Sequence, residues 1–335
     1  MTLQKINLNI EYYNKLFSDL LKKNELIADD LETAYGIFDD NDELAACGGR
    51  SGNVLKCFAV DSKFKGMDLT SEILSALLKD AYAAKYKSLF IFTKKDSKIF
   101  FINSGFECLA SAENSILLYK GEKQPEDILN GMLKTCSYDF SGTKNAAIVI
   151  NANPVTLGHR HLVEEALKFC GNEKKLYIFV VQADKSFFSF KDRFFLVKEN
   201  TKDLKNTIVL PSTDFLISSA TFPSYFLKEK KLIQKNQAQL DAQMFLKYFV
   251  PLFNIDTRFL GDEPLDKNTA IYNETLLSLL PPVCNIKIIP RKKTENKDKH
   301  IISATAVRQA FKNKDLNSIK DFISPITYNF LKNKI

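Results

Sequence analysis

Two short segments of this chain carry side chains suited to gripping phosphate. Asn153-Pro154-Val155-Thr156-Leu157-Gly158-His159-Arg160-His161 and Ile301-Ile302-Ser303-Ala304-Thr305-Ala306-Val307-Arg308 combine hydroxyls, imidazoles and guanidiniums. The 335 residues include three histidines, His159, His161 and His300, and all lie in or beside these segments. So scarce a titratable side chain, concentrated in this way, points to chemistry in the C-terminal half.

The first segment follows Ala146–Ile150, a β-branched run, and precedes a helical pattern over His159–Phe169. A strand–loop–helix junction directs backbone N–H groups and the positive helix end at one place, where an anion is favoured. In open α/β sheets ligands bind at the carboxyl ends of strands, where this loop must lie. Thr156 and His159, three apart, can face one bound phosphate, and Gly158 lets it approach the backbone. An imidazole there donates to charge developing on a phosphate. His161, two positions on, points elsewhere and is assigned to structure or surface. In the second segment Ser303 reads as an N-cap, while Thr305 and Arg308 share a helix face at i, i+3. Hydroxyls and a guanidinium at a helix start can clamp the outer phosphates of a nucleoside triphosphate.

The elements that must position these groups follow from periodicity. Apolar residues recur at helical spacing over Glu11–Lys23 and Leu69–Lys85, with strands at Thr33–Phe38, Glu43–Gly48, Val54–Val60 and Ser88–Thr93. A short helix at Ser97–Asn103 and strands near Phe106–Leu109 and Ser115–Tyr119 complete a small α/β domain, residues 1–120. Polar Gly121–Glu126 marks a boundary, and a linker with a bridging helix at Ile128–Thr135 fills 121–144. Residues 145–335 then alternate strand and helix, with strands at Ala146–Ile150, Leu176–Gln182, Thr257–Leu260 and Asn285–Ile289 and helices at Asp192–Lys198 and Ser224–Gln243. That alternation predicts a doubly wound parallel sheet covered on both faces.

Composition narrows the class. A 45% hydrophobic and 26% charged chain has material for two cores, and its net charge of +7 is too small to argue for nucleic acid. The six cysteines show neither a CxxC pair nor metal-ligand spacing with histidine, so they read as reduced thiols. No apolar run reaches membrane-spanning length and the N-terminus lacks a signal-peptide pattern, so a cytoplasmic protein with no membrane partner is expected.

Together, Asn-Pro-x-Thr-x-Gly-His and Ile-Ser-x-Thr-x-x-Arg resemble the motifs of the adenylyltransferase superfamily of nucleotidyl transferases. The stretch Ser212–Leu227, Gly261-Asp262-Glu263-Pro264 and Ile271-Tyr272-Asn273-Glu274 look like the citrate (pro-3S)-lyase ligase family. So does an acetyltransferase-like domain placed ahead of a Rossmann-like nucleotidyltransferase domain. The resemblance implies an AMP-forming acid–thiol ligase. Acetate attacks the α-phosphate of ATP, releasing pyrophosphate, and the thiol of a dephospho-CoA-like prosthetic group on the citrate lyase acyl carrier subunit takes the acetyl group. It implies that Asn153, Thr156, Gly158 and His159 hold the α- and β-phosphates and that Ser303, Thr305 and Arg308 hold the tail, with His159 and Arg308 catalytic. Gly261 and Asp262 border the adenosine on this reading, and Mg²⁺ is expected, carried largely by phosphates and water. Lys185 is either a further catalytic cation on the phosphates or a solvated loop lysine. Arg291, Lys292, Lys293, Lys297 and Lys299 read chiefly as a solvated face, the alternative being a funnel for ATP or an acidic carrier. A plain adenylyltransferase and a non-catalytic nucleotide-binding scaffold are the competing readings.

The first domain departs from its type. Lys63-Phe64-Lys65-Gly66-Met67-Asp68 aligns with the acetyltransferase pyrophosphate loop, and Phe101–Phe106 with a later segment of that fold, yet Asp68 stands where a small residue is usual. A carboxylate repels a pyrophosphate, so a scaffold, or a dock for the carrier's arm, is expected rather than acetyl-CoA-dependent transfer.

Overall fold

In a computed structural model the 335-residue chain is described except for residues 137–143, 183–185, 219–221, 224, 263–266 and 293–300. The chain divides into two compact α/β units, Met1–Gln124 with Phe222–Leu240, and Pro125–Thr221 with Asp241–Ile335.

The first unit runs β1 (Thr2–Ile6), α1 (Glu11–Lys23), β2 (Thr33–Phe38), β3 (Leu44–Ser51), β4 (Val54–Val60), α2 (Leu69–Ala83), β5 (Ser88–Thr93), α3 (Lys98–Asn103), β6 (Glu107–Ser111) and β7 (Ile116–Gly121). Its seven strands lie in the order β1-β2-β3-β4-β5-β7-β6, antiparallel except for β4 against β5. Ile73, Leu74, Leu77 and Ala81 of α2 pack with Leu55, Leu89, Ile91 and Leu118 of the sheet to form the core. The later segment joins this unit by hydrogen bonds. The Tyr225 hydroxyl donates to the Phe92 carbonyl at 2.8 Å, and the Asn236 amide oxygen accepts from the Asn114 N–H at 2.9 Å. Asp68 precedes α2 in the left-handed region, φ 51°, and its carboxylate accepts from the Ser71 hydroxyl at 2.6 Å.

The second unit opens with α4 (Pro125–Lys134) and continues β8 (Asn145–Ile150), α5 (Leu157–Cys170), β9 (Leu176–Val180), α6 (Phe190–Thr201) and β10 (Thr207–Pro211). Helix α7 (Lys230–Met244), which belongs to the first unit as far as Leu240, leads through a π-helical turn, Phe245–Phe249, into α8 (Val250–Leu252). Then come β11 (Ile255–Gly261), α9 (Lys267–Leu279), β12 (Asn285–Ile289), α10 (Ala304–Lys312) and α11 (Pro325–Lys332). The five strands are all parallel, in the order β10-β9-β8-β11-β12. Both faces are covered, which is why β8 and β9 read as unbroken apolar runs. Ile148, Ile178 and Val180 meet Val163 and Ala166 of α5 and Leu196 of α6 on one side. On the other, Phe179 lies edge-on to Phe249 and Phe253, with centroids 5.2 and 5.1 Å away.

The helix expected over Ser224–Gln243 begins only at Lys230, and β1, β10 and α9 are additions to the elements read from sequence. Among the described residues no helix is long and apolar enough to cross a membrane.

Candidate active site

Strand β8 sits at the centre of the second sheet, and its carboxyl end delivers the first phosphate-type loop above the strand ends. The chain turns sharply there. Ala152 is buried with φ 49°, and the Asn153–Pro154 peptide is cis. Arg193 of α6, wholly buried, holds this turn from below. Its guanidinium donates to the Asn151 carbonyl and side-chain oxygen, both at 2.9 Å, and to the Val181 carbonyl at 2.7 Å. Asn153 adds a second tie, its side-chain oxygen accepting from the Phe188 N–H at 3.0 Å. A fully buried cation wrapped in carbonyls fixes the loops after β8 and β9 together.

Helix α5 starts at the loop's end with Thr156 as its N-cap. The Thr156 N–H donates to Nδ1 of His159 at 3.1 Å, and the Thr156 hydroxyl lies 2.9 Å from the same nitrogen. A nitrogen that accepts from a backbone N–H carries no proton, so the imidazole is neutral with its proton on Nε2. Desolvation, helped by the charge of Arg291, pushes the His159 pKa down to about 4. The His159 ring is therefore neutral, with Nε2 as its hydrogen-bond donor. Arg160 turns away to clamp α5 to α6, bonding Asp203 at 2.9 and 2.7 Å and the Asn200 carbonyl at 2.7 Å.

The second motif meets the first. Ser303 caps α10, its Oγ accepting from the Thr305 N–H at 3.2 Å. Arg308 donates to the Thr305 hydroxyl at 2.8 Å and to the Asn153 carbonyl at 2.6 Å, spanning 155 positions of sequence. A Cβ on Gly158 would stand 3.7 Å from the Ile302 carbonyl, so the two loops come within van der Waals range of one another.

A cavity of about 680 Å³ opens above β8, β11 and β12, lined by Asn153, Thr156, Gly158, His159, Gly261, Asp262, Ser303, Thr305 and Arg308. Lys185 and His300 lie outside the described residues. Other lining groups were named from the sequence without being assigned to this site. His161, assigned to structure or surface, reaches the cavity as well as standing 3.9 Å from Glu165. Arg291 and Lys292 line it too, with Arg291 Nε donating to the Asp262 carbonyl at 2.8 Å. Tyr272 forms part of the wall while its hydroxyl donates to Asp241 at 2.6 Å and accepts from buried Arg258 at 2.8 Å. Asn273 pins the end of β11 by donating to the Gly261 carbonyl at 3.1 Å. Arg193 escaped notice, although a basic residue on the apolar Leu196–Val197 face of a helix was a usable signal.

Asp262 is the single carboxylate among the described lining residues, against the cations Arg291, Lys292 and Arg308. Desolvation lowers the pKa of Arg291 and Arg308, but a guanidinium stays charged at any working pH. An anion is thus favoured here. No group of three His, Cys, Asp or Glu suited to a metal occurs among the described residues. One carboxylate beside several cations fits a Mg²⁺ that arrives on phosphate oxygens rather than one caged by protein.

Fold and cavity define an α/β enzyme-type site at the carboxyl edge of an open parallel sheet, charged to take an anion. Residues 145–331 match the family described as the citrate lyase ligase C-terminal domain. The chain is 32% identical over 328 residues to the citrate (pro-3S)-lyase ligase of Haemophilus influenzae, covering 95% of this chain and 94% of that one. It is 36% identical over 294 residues to the same enzyme of Klebsiella pneumoniae, with 86% and 83% covered. Among solved structures, a putative acyl-CoA N-acyltransferase from Klebsiella pneumoniae is similar over 36% of this chain and 96% of its own, at 19% identity and a TM-score of 0.31. The chain belongs to the citrate lyase ligase family and is an enzyme of that class.

Proposed function

We propose that the chain is an AMP-forming acid–thiol ligase that activates citrate lyase. Acetate attacks the α-phosphate of ATP to give acetyl-adenylate and pyrophosphate. The thiol of a dephospho-CoA-like prosthetic group, carried by the citrate lyase acyl carrier subunit, then takes the acetyl group. One observation carries this reading, the 2.6 Å hydrogen bond from Arg308 to the Asn153 carbonyl that joins both phosphate-type motifs at one cavity. Two separate sites would need no such contact.

The residues have roles that follow from their chemistry. The proton on His159 Nε2 donates to the phosphate under attack, and accepting from Thr156 holds the ring in that tautomer. Arg308, Thr305 and Ser303 hold the leaving pyrophosphate from the start of α10. Gly158 leaves room for phosphate against the first turn of α5. Asn153 shapes the loop through its carbonyl and side-chain oxygens, and Gly261 with Asp262 borders the nucleoside end. Mg²⁺ bound to the triphosphate would neutralise charge between its outer phosphates.

Acetate-dependent exchange of labelled pyrophosphate into ATP tests the proposal. The wild type is expected to exchange only when a short carboxylic acid is present. Exchange that requires a phosphorylated acceptor instead would make the chain a plain adenylyltransferase.

A further inference from the structure

The cations and hydroxyls of this cleft suit phosphate, and phosphate is common to ATP and to bare tripolyphosphate. A site that takes a nucleotide needs a further surface for the flat base. Among the described residues, two benzenoid side chains line the cavity, Phe259 and Tyr272. Phe259 is 2% exposed and belongs to the core of the second unit. Tyr272 of α9 is only half-buried, so it keeps ring surface for the cavity.

This tyrosine is held by its far end. Its hydroxyl turns into the interior, donating to Asp241 at 2.6 Å and accepting from Arg258 at 2.8 Å, and neither partner is more than 2% exposed. Asp241 is fixed in turn by Arg258 at 3.2 Å and by the Ile217 N–H at 3.0 Å. A hydroxyl committed to two buried partners leaves the ring as what the residue presents to a ligand. Asn273, next in sequence, donates to the Gly261 carbonyl at 3.1 Å and so fixes α9 against the end of β11. On the ligase reading that end of the cleft borders the nucleoside.

Resting on that reading, we propose that Tyr272 is the platform on which the adenine base of ATP stacks, a binding and specificity residue at the nucleoside end of the cleft. Stacking uses the face of the ring and needs nothing from the hydroxyl. A ring already immobilised by Asp241 and Arg258 loses little side-chain freedom when the base arrives, which favours binding.

The test measures equilibrium binding to the full-length chain by calorimetry, with Mg-ATP and with Mg-tripolyphosphate, which has the phosphates but no base. Y272L should weaken ATP by roughly tenfold or more, the scale of one base–aromatic contact, and leave tripolyphosphate within about twofold. Y272F gives up the buried hydroxyl but keeps the ring, so it should be less stable and still bind ATP within about threefold of wild type. The chain contains no tryptophan, so Y272W places a single indole at the platform. ATP should quench its emission and tripolyphosphate should not. The inference is overturned if Y272L binds ATP as wild type does, or weakens both ligands alike, which marks a structural role. It is equally overturned if Y272F falls as far as Y272L, or if ATP leaves the Y272W emission unchanged. If Y272L does not fold, the Y272W emission decides. Because binding is read without turnover, a wild type that exchanges only with a phosphorylated acceptor sinks the acid reading alone. A wild type that binds no ATP overturns both.

Discussion

His159 carries the sharpest consequences at the level of single residues. Its pKa, pushed down to about 4 by desolvation and Arg291, lies below the 6.5 of an unperturbed imidazole. The unfolded chain therefore binds the extra proton first, and folding stability should fall as pH drops from 6.5 towards 4. Chemical denaturation across that range should show the decline in wild type, and a smaller one in H159Q. Activity should show no loss of a titrating group near 6.5, because the ring is already neutral there. H159A should cut exchange by roughly 100-fold while leaving ATP affinity within a few-fold by calorimetry. Equal activity in H159A would remove the imidazole from the chemistry. The signal for this residue was plain in sequence, since a rare side chain sat between a β-branched strand and a helix. Arg291 was obscured by its basic neighbours, because nothing in a run of charges says which one turns inward.

Among the elements, the junction of β8 with α5 separates folding from function. Gly158 lies in the first turn of α5, where an added Cβ would find only ordinary contacts, 3.4 Å to the Thr156 hydroxyl and 3.7 Å to Ile302. G158A should thus be as stable as wild type, or more stable by up to about 1 kcal/mol, since alanine favours helix. Its KM for ATP should nevertheless rise at least about tenfold, because on the proposed reading the methyl takes the space that a phosphate would fill. A variant that is stabilised and also binds ATP normally would contradict the phosphate cradle. Arg193 tests the opposite case. R193M strands the buried Val181 carbonyl and frees the Asn151 carbonyl and side chain at the cavity edge, and should cost about 2 kcal/mol or more by urea denaturation.

The strands that a reader of the sequence finds readily are β8 and β9, where burial on both faces leaves continuous apolar runs. Strand β10, Thr207–Pro211, is five residues ending in proline, and β1 exposes all but one or two of its side chains, so neither presents a strong pattern. The start of α7 was misjudged because Tyr225, Phe226 and Leu227 continue an apolar spacing that looks helical. They are buried instead by packing within the first unit, a non-local fact that no window of sequence contains.

For the molecule as a whole, the two units have separate cores. The anion-favouring cavity belongs entirely to the second unit, so ATP should protect that unit alone in hydrogen exchange. Slower exchange is expected over 151–160 and 302–309, with β2–β5 unchanged. In the first unit Asp68 bonds its own helix through Ser71, and its carboxylate would repel a pyrophosphate. The full chain should therefore bind acetyl-CoA weakly or not at all and show no acetyl transfer from it, as calorimetry and a free-thiol assay would report. Tight binding with turnover would restore an acetyltransferase role to that unit.

A single-turnover reaction with labelled acetate and excess Mg-ATP, run with the carrier withheld, bears most directly on the convergence of both motifs upon one triphosphate. Acetyl-adenylate and pyrophosphate should appear in equal amounts, retained by the enzyme until a thiol-bearing carrier discharges the acetyl group. Release of ADP or orthophosphate, or the absence of any acetyl nucleotide, would contradict it.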